Sequence, residues 1–219
     1  MGRANYEHSL EELRMEIAKM GSLAEKAIED SVKAFKTGDM DLCWEIIGND
    51  KAVDDLEKSI ESKCLWLIAR EQPVASDLRK ITTALKMITD IERIGDNASD
   101  IAELTLRISR KNTFSDSGHL PRMAAAAVSM VHDAITASIS TDLELARATE
   151  KRDDEVDDYF NLIKNDLRRV FAEDGEGLDN AIDLLLIAKY LERIADHAVN
   201  ICEWVEFSTT GEHKHAKIF

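Results

Sequence analysis

The sequence predicts an all-α protein built from a three-helix unit written twice. Three observations carry this reading. The chain has only two prolines, nine glycines and 5% aromatic residues in 219 positions. Alanine, leucine, glutamate, lysine and isoleucine dominate, all but the last strong helix formers. Apolar residues recur at helical spacing over long stretches. The phrase "IERIGDNASD" at 91–100 also returns as "LERIADHAVN" at 191–200, with seven of thirteen positions identical between 91–103 and 191–203.

The elements follow in order. Helix 1 is expected over about Ser9–Lys36, with Leu10, Leu13, Ile17, Met20, Ala24, Ile28 and Val32 on one face. "TGD" at 37–39 stops it, and Asp39 is the natural N-cap of helix 2, which carries Leu42, Ile46, Val53, Leu56, Ile60 and Leu67. "EQP" at 71–73 ends that helix, because a residue before proline avoids helical geometry. Helix 3 is expected from Ala75 or Ser76 to about Arg110. The polar stretch "NTFSDSGHLP" is a mid-chain linker. Helix 4 covers about Pro121–Ser140, helix 5 about Asp142–Ala172, and "EDGEG" separates it from helix 6, about Leu178–Phe207. The expected division is a first repeat over 1–111, a linker over 112–120, a second repeat over 121–208 and a frayed, flexible tail over 209–219.

The duplication reaches past the opening phrase. "DKAVDD" at 50–55 matches "DDEVDD" at 153–158, and "GDMDL" at 38–42 resembles "STDLEL" at 140–145. The offset changes from 103 to 100 between second and third helices, where a loop absorbs a length change cheaply.

Lys and Arg number 28 against 43 Asp and Glu, a net charge of −15. No basic stripe of the kind that binds nucleic acid is present. The balance disfavours docking on anionic lipid and suits cations or a basic protein surface. The first thirty residues hold no unbroken apolar run, so no signal peptide is expected. No run of about 18 apolar residues occurs, so no membrane-spanning helix and no direct membrane insertion are expected. Cys43, Cys64 and Cys202 are odd in number, far apart and outside any C-x-x-C pattern. They read as reduced packing residues of a cytoplasmic protein.

The acidic residues are the informative ones. Asp50 and Asp54 are four apart on helix 2. Glu92, Asp96 and Asp100 form a row on helix 3. The second half repeats both with Asp153 and Asp157, and with Glu192, Asp196 and Asn200. Residues at this spacing share a helix face, and like charges there cost about 0.2–0.5 kcal/mol per pair. The rows border apolar stripes, where acids need partners. Arg93 and Arg193 each point about 100° from the adjacent Glu. Hard cations prefer oxygen ligands, and carboxylates can bridge two metals. Two such rows on adjacent helices could hold a multinuclear cluster, with zinc less natural because no Cys/His cluster accompanies them. The other reading is a solvated acidic face.

The remaining polar and aromatic residues say less. His197 reads at most as an auxiliary ligand, and His132 as a surface residue. Met20, Met87, Met123 and Met130 read as core filler, and Trp44, Trp66 and Trp204 as packing against neighbours. No phosphate loop, nucleophile elbow or Glu-x-x-His motif is present, so an enzyme is not expected.

The segments "REQPVASDLRKITTALKMITDIERIGDNASDIAE" (70–103), "LLLIAKYLERIADHAVNICE" (184–203) and "LEELRMEIAKMGSLAEKAI" (10–28) resemble the PhoU family of phosphate-signalling regulators. The resemblance runs from about Tyr6 to Phe207. It implies two tandem three-helix bundles with pseudo-twofold symmetry, in a cytoplasmic, non-enzymatic homodimer. It implies a negative regulator of the phosphate-starvation response, an adaptor between the ATPase subunit of an ABC phosphate transporter and a sensor histidine kinase. It further implies metal, multinuclear iron or alternatively Zn, Mg, Ca, Mn or Ni, on E/D-x-x-x-D rows. Asp50, Asp54, Glu92 and Asp96 would form one site, and Asp153, Asp157, Glu192 and Asp196 the other, with Asp100 and Asn200 at their edges. Asp100 departs from the asparagine usual in the family. The alternatives are a metal-binding or metal-sensing helical bundle, an accessory of another phosphate transporter, and a carboxylate-bridged hydrolase.

Overall fold

The computed structural model describes residues 3–108, 118–173, 178–213 and 216–217. The chain forms two three-helix bundles in tandem, with one helix of the second bundle broken. The first holds α1 (Arg3–Thr37), α2 (Met40–Glu71) and α3 (Ser76–Arg107). The second holds α4 (His119–Ser140), α5 (Leu143–Glu150), α6 (Asp153–Glu173) and α7 (Leu178–Thr210). α3 packs on α1 and α2, as α7 packs on α4, α5 and α6. The bundles meet along α3–α7 and α1–α4.

Helical periodicity explains what is buried. Leu13, Ile17, Met20, Ala24 and Ile28 turn inward from α1, and Ile81, Ala84, Ile88, Ile91, Ile94, Ala98 and Ile101 from α3. Met123, Ala127, Met130 and Ala134 do the same from α4, and Ile187, Leu191, Ile194, Ala198 and Ile201 from α7. These residues belong to one apolar cluster that continues across both bundles. α4 alone among the described helices is long and apolar enough to cross a membrane by composition, and half of that stretch is buried in the core. Met20, Met87, Met123 and Met130 are core residues. Cys43, Cys64 and Cys202 are buried and unpaired, and burial pushes the thiols of Cys64 and Cys202 up to about 12.

The turn between the first two helices of each bundle is built twice. Asp39 caps α2 by accepting from Leu42 N at 3.0 Å, and Asp142 caps α5 by accepting from Leu145 N at 3.0 Å. The residue before each cap is left-handed, Gly38 at φ 61° and Thr141 at φ 57°. α1 and α4 cross closely at Gly21. A Cβ there would lie 2.9 Å from both Cδ1 and Cγ2 of Ile135.

Several expectations are corrected. Helix 1 begins at Arg3 rather than Ser9, helix 3 ends at Arg107 rather than Arg110, helix 4 begins at His119, and the last helix runs to Thr210. The single helix expected over 142–172 is two. The chain turns at Lys151 and Arg152, where Arg152 N bonds Thr149 O at 3.0 Å and the Arg152 guanidinium reaches Asp133 on α4 at 2.7 Å. No glycine or proline marks the break, and a long-range ion pair accompanies it. The tail is not simply frayed, since Glu212–His213 pairs antiparallel with Ala216–Lys217. Trp44 and Trp66 are not packed away: they are 64% and 42% exposed, the latter beneath the Arg70 guanidinium. Most of the expected linker (112–117) and of the "EDGEG" break (174–177) lies outside the described residues.

Candidate metal centre

α2 and α3 lie side by side and bring their acidic rows face to face. Asp50 and Asp54 from α2 and Asp96 from α3 each offer a carboxylate oxygen, and the three oxygens lie within 4.8 Å of one another. All three residues are half-buried. Burial, then the charges of Asp96, Asp54, Asp100 and Glu103, pushes Asp50 up to about 6. Burial, then Asp96, pushes Glu92 up to about 7 against the opposing pull of Arg93. The cluster therefore holds more negative charge than its own surroundings neutralise.

The counter-charges are few. Lys58 Nζ stands 3.9 Å from Asp54. Arg93 bonds Asp96 at 3.1 Å and lies 3.3 Å from Glu92 Oε2. Sequence reasoning placed Arg93 out of reach, but the i,i+3 spacing and the length of the side chain let it fold back along the helix. Its Nε is not angled to donate to Glu92, so Glu92 Oε2 is buried without a hydrogen-bond partner. A carboxylate triad with a buried, unsatisfied carboxylate oxygen beside it is an all-oxygen donor set, and it fits a hard cation.

The second half is not a copy of this arrangement. Burial, then Asp196, Asp157 and Glu192, pushes Asp153 up to about 6, and burial followed by Glu192 raises Asp196. These acids are thus neighbours. Among the described residues, however, only Asp50, Asp54 and Asp96 converge within 4.8 Å. Two local facts accompany the difference. Asp153 opens α6 rather than lying mid-helix, so it and Asp154 also sit where a helix N-terminus favours negative charge. Glu192 is tied to Lys189 on its own helix.

Asn200 and Asp100 face the seam between α3 and α7. The Asn200 amide donates to Asp90 Oδ1 at 3.1 Å, and His197 Nδ1 lies 2.9 Å from the same oxygen. Asn200 and His197 are thus turned to Asp90 rather than to Asp196 and Asp153. Burial, with Glu103 and Asp96, raises the Asp100 carboxyl overall, against the opposing pull of the Tyr190 hydroxyl that faces it. Sequence reasoning passed over Asp90 and Tyr190. The repeat itself held the signal, since an approximate twofold that sets 90 against 200 must set 190 against 100.

Comparison with known proteins bears on both halves. The family described as "PhoU domain" matches residues 17–105 and 120–205. The phosphate-specific transport system accessory protein PhoU homolog of Clostridium acetobutylicum is 38% identical over 213 residues, 97% of each chain. The protein of Escherichia coli named phosphate-specific transport system accessory protein PhoU is 31% identical over 93% of this chain and 84% of its own. The crystal structure of PhoU from Pseudomonas aeruginosa superposes with a TM-score of 0.91 at 30% identity, covering 94% of this chain and 100% of that one. The phosphate transport system regulatory protein PhoU from Streptococcus pneumoniae gives 0.89 at 27% identity, over 95% and 98%.

Proposed function

The chain belongs to the PhoU family, and from that premise we propose that it is an accessory protein of phosphate transport that regulates uptake without catalysing a reaction. The observation that carries this is the near full-length match to relatives bearing that name, across both bundles. In this reading the protein is a cytoplasmic homodimer that joins the ATPase subunit of an ABC phosphate transporter to a sensor histidine kinase, and it represses the starvation response when phosphate is plentiful. A surplus of acidic charge supports an adaptor that meets basic protein faces.

The test is genetic and biochemical together. Deleting the gene should derepress a phosphate-starvation reporter in phosphate-rich medium, and the wild-type chain should restore repression. Affinity capture of the chain should recover the transporter ATPase and the kinase. Normal repression in the deletion strain would sink the proposal.

A second element of the reading rests on the carboxylates. Asp50, Asp54 and Asp96, with Glu92 beside them, hold a metal cation, iron or another hard cation such as Mn, Mg or Ca, with Zn and Ni the less natural alternatives for an all-oxygen set. Asp153, Asp157, Glu192 and Asp196 form a weaker second site. A bound cation would neutralise the clustered charge. The carboxylates orient it and clamp α2 to α3. Should the deletion leave phosphate control untouched while purified protein carries stoichiometric metal, a metal-sensing role for the bundle is the reading that remains.

A further inference from the structure

A groove of about 470 Å³ opens at the other end of α3, between the first turns of α1 and the last turns of α4 and α7. That size is typical of small-molecule sites. Thirteen residues of helix separate Thr83 in its wall from Asp96, roughly 20 Å along α3, so it is distinct from the carboxylate cluster.

Among the described residues, two polar groups in the wall lack hydrogen-bond partners. Thr83 is 5% exposed, and its hydroxyl has no hydrogen-bond partner. A helical threonine usually turns its hydroxyl back to the carbonyl four residues earlier. Here that carbonyl, Arg79 O, already accepts from Thr82 Oγ1 at 3.0 Å. Arg79 lies four residues before Thr83 on the same face. Its Nε is buried without a partner, and among the described residues its guanidinium makes no ion pair. Gly211, at φ 81°, gives the guanidinium its room: a Cβ there would stand 3.1 Å from Arg79 Nη1.

The contrast with the rest of the chain is sharp. Acids outnumber bases 43 to 28, yet among the described residues this arginine has no ion-pair partner. Its neighbours are matched: Arg14 pairs with Glu11 at 3.6 Å and donates to Ile139 O, and Lys80 pairs with Asp77 at 3.6 Å. Asp183, the repeat counterpart of Thr83 and equally buried, is satisfied by Arg107 at 3.1 Å. The wall also carries charged and hydroxyl side chains at its rim, and Leu10, Leu13, Ile17, Met87 and Val205 form its apolar part.

We propose that this groove binds a small monocarboxylate with an apolar body, its carboxylate held by Arg79 and Thr83. Arg14 and Lys80 also line the groove but are paired with Glu11 and Asp77, so Arg79 is the guanidinium left to match one negative charge. A phosphate dianion would leave a second charge facing Glu7 and Glu11, which also line the groove. The apolar wall takes the hydrocarbon. The inference is independent of the phosphate and metal readings.

The test uses the full chain with decanoate as probe, and 1-decanol and inorganic phosphate as comparisons. In protein carrying ¹³C-methyl methionine, decanoate should shift the Met87 signal saturably and leave the exposed Met15 and the second-bundle Met123 and Met130 unmoved. Calorimetry should give one site, about tenfold or more weaker in Arg79→Met and in the shape-conserving Thr83→Val. 1-Decanol should bind more weakly, with no dependence on Arg79. The proposal is overturned by absence of a saturable Met87 shift, by equal affinity for 1-decanol, by binding of inorganic phosphate in place of decanoate, or by wild-type affinity in folded Thr83→Val together with folded Arg79→Met. Should Arg79→Met fail to fold, wild-type affinity in Thr83→Val alone overturns it.

Discussion

Asn200 donates to Asp90 across the α3–α7 seam, and the same seam sets Tyr190 against Asp100. The two contacts are images of each other under the repeat. They explain why position 100 tolerates an acid and position 200 carries an amide. The partner at 190 is a phenol that can donate, whereas the partner at 90 is a carboxylate that can only accept. Asn200→Asp should therefore place two carboxylates at hydrogen-bond distance and cost about 1–3 kcal/mol at pH 7. Asp100→Asn should change stability by no more than about 0.5 kcal/mol in the destabilising direction. Urea unfolding of both variants in chelator checks this. The Asn200→Asp deficit should shrink by pH 5, where the pair can share a proton.

Metal-free protein should gain stability on mild acidification. Asp50 and Asp153 are pushed up to about 6 and Glu92 to about 7, all above their ordinary values near 4. A raised carboxyl binds its proton more readily in the folded state. The associated stability is fully present below pH 4 and is lost as pH rises from about 5 to 7. Asp50→Asn should thus be more stable than wild type at pH 7.5, on the order of 1 kcal/mol after solvent screening, with the gap closing by pH 4.5. A gap independent of pH, read from thermal melts of the two proteins in chelator, would contradict this.

Removing two acids of the triad should separate stability from metal uptake. Asp54→Asn with Asp96→Asn relieves repulsion, so the chelated double variant should melt at or above the wild-type temperature. Elemental analysis of protein purified without chelator should find much less metal in the double variant than in wild type, the remainder held by the weaker second site. Chelating the wild type should lower its stability by about 2.7 kcal/mol when free metal had stood at a hundred times its dissociation constant.

The crossing of α1 and α4 gives a test of packing alone. Gly21→Ala puts a methyl within 2.9 Å of Ile135, a buried β-branched side chain that cannot swing away, and should cost about 1–3 kcal/mol. Gly48→Ala meets nothing within 4 Å and should gain about 0.5–1 kcal/mol from helix propensity. Guanidinium unfolding midpoints of the two variants should move in opposite directions.

The sequence was most legible where the signal is local. Apolar spacing gives the core faces of the helices, Asp39 announces its own cap, and the repeated acids mark their shared faces. The break at Lys151–Arg152 was invisible because an ion pair to another helix accompanies it, without any residue that disfavours helix. Trp44 and Trp66 misled because large aromatics suggest burial, while only the docking of neighbouring helices decides which face is covered. Arg93 was misjudged by treating a long side chain as a fixed spoke. Arg79 lies in a segment that carries the family resemblance, but nothing in the sequence marked it or Thr83 as unsatisfied, since an unsatisfied group is defined by what surrounds it. Partners such as Asp90 for Asn200 were recoverable only by treating the repeat as a symmetry operation.

The apolar core that runs unbroken through both bundles has a consequence for the duplication itself. A gene that doubles a self-contained module leaves two parts free to wander apart. Here each copy supplies half the lining of a common interior, so neither is a finished object without its sibling. Position 90 answers to position 200, and position 100 to position 190. A substitution at either end of such a pair is felt in the other copy.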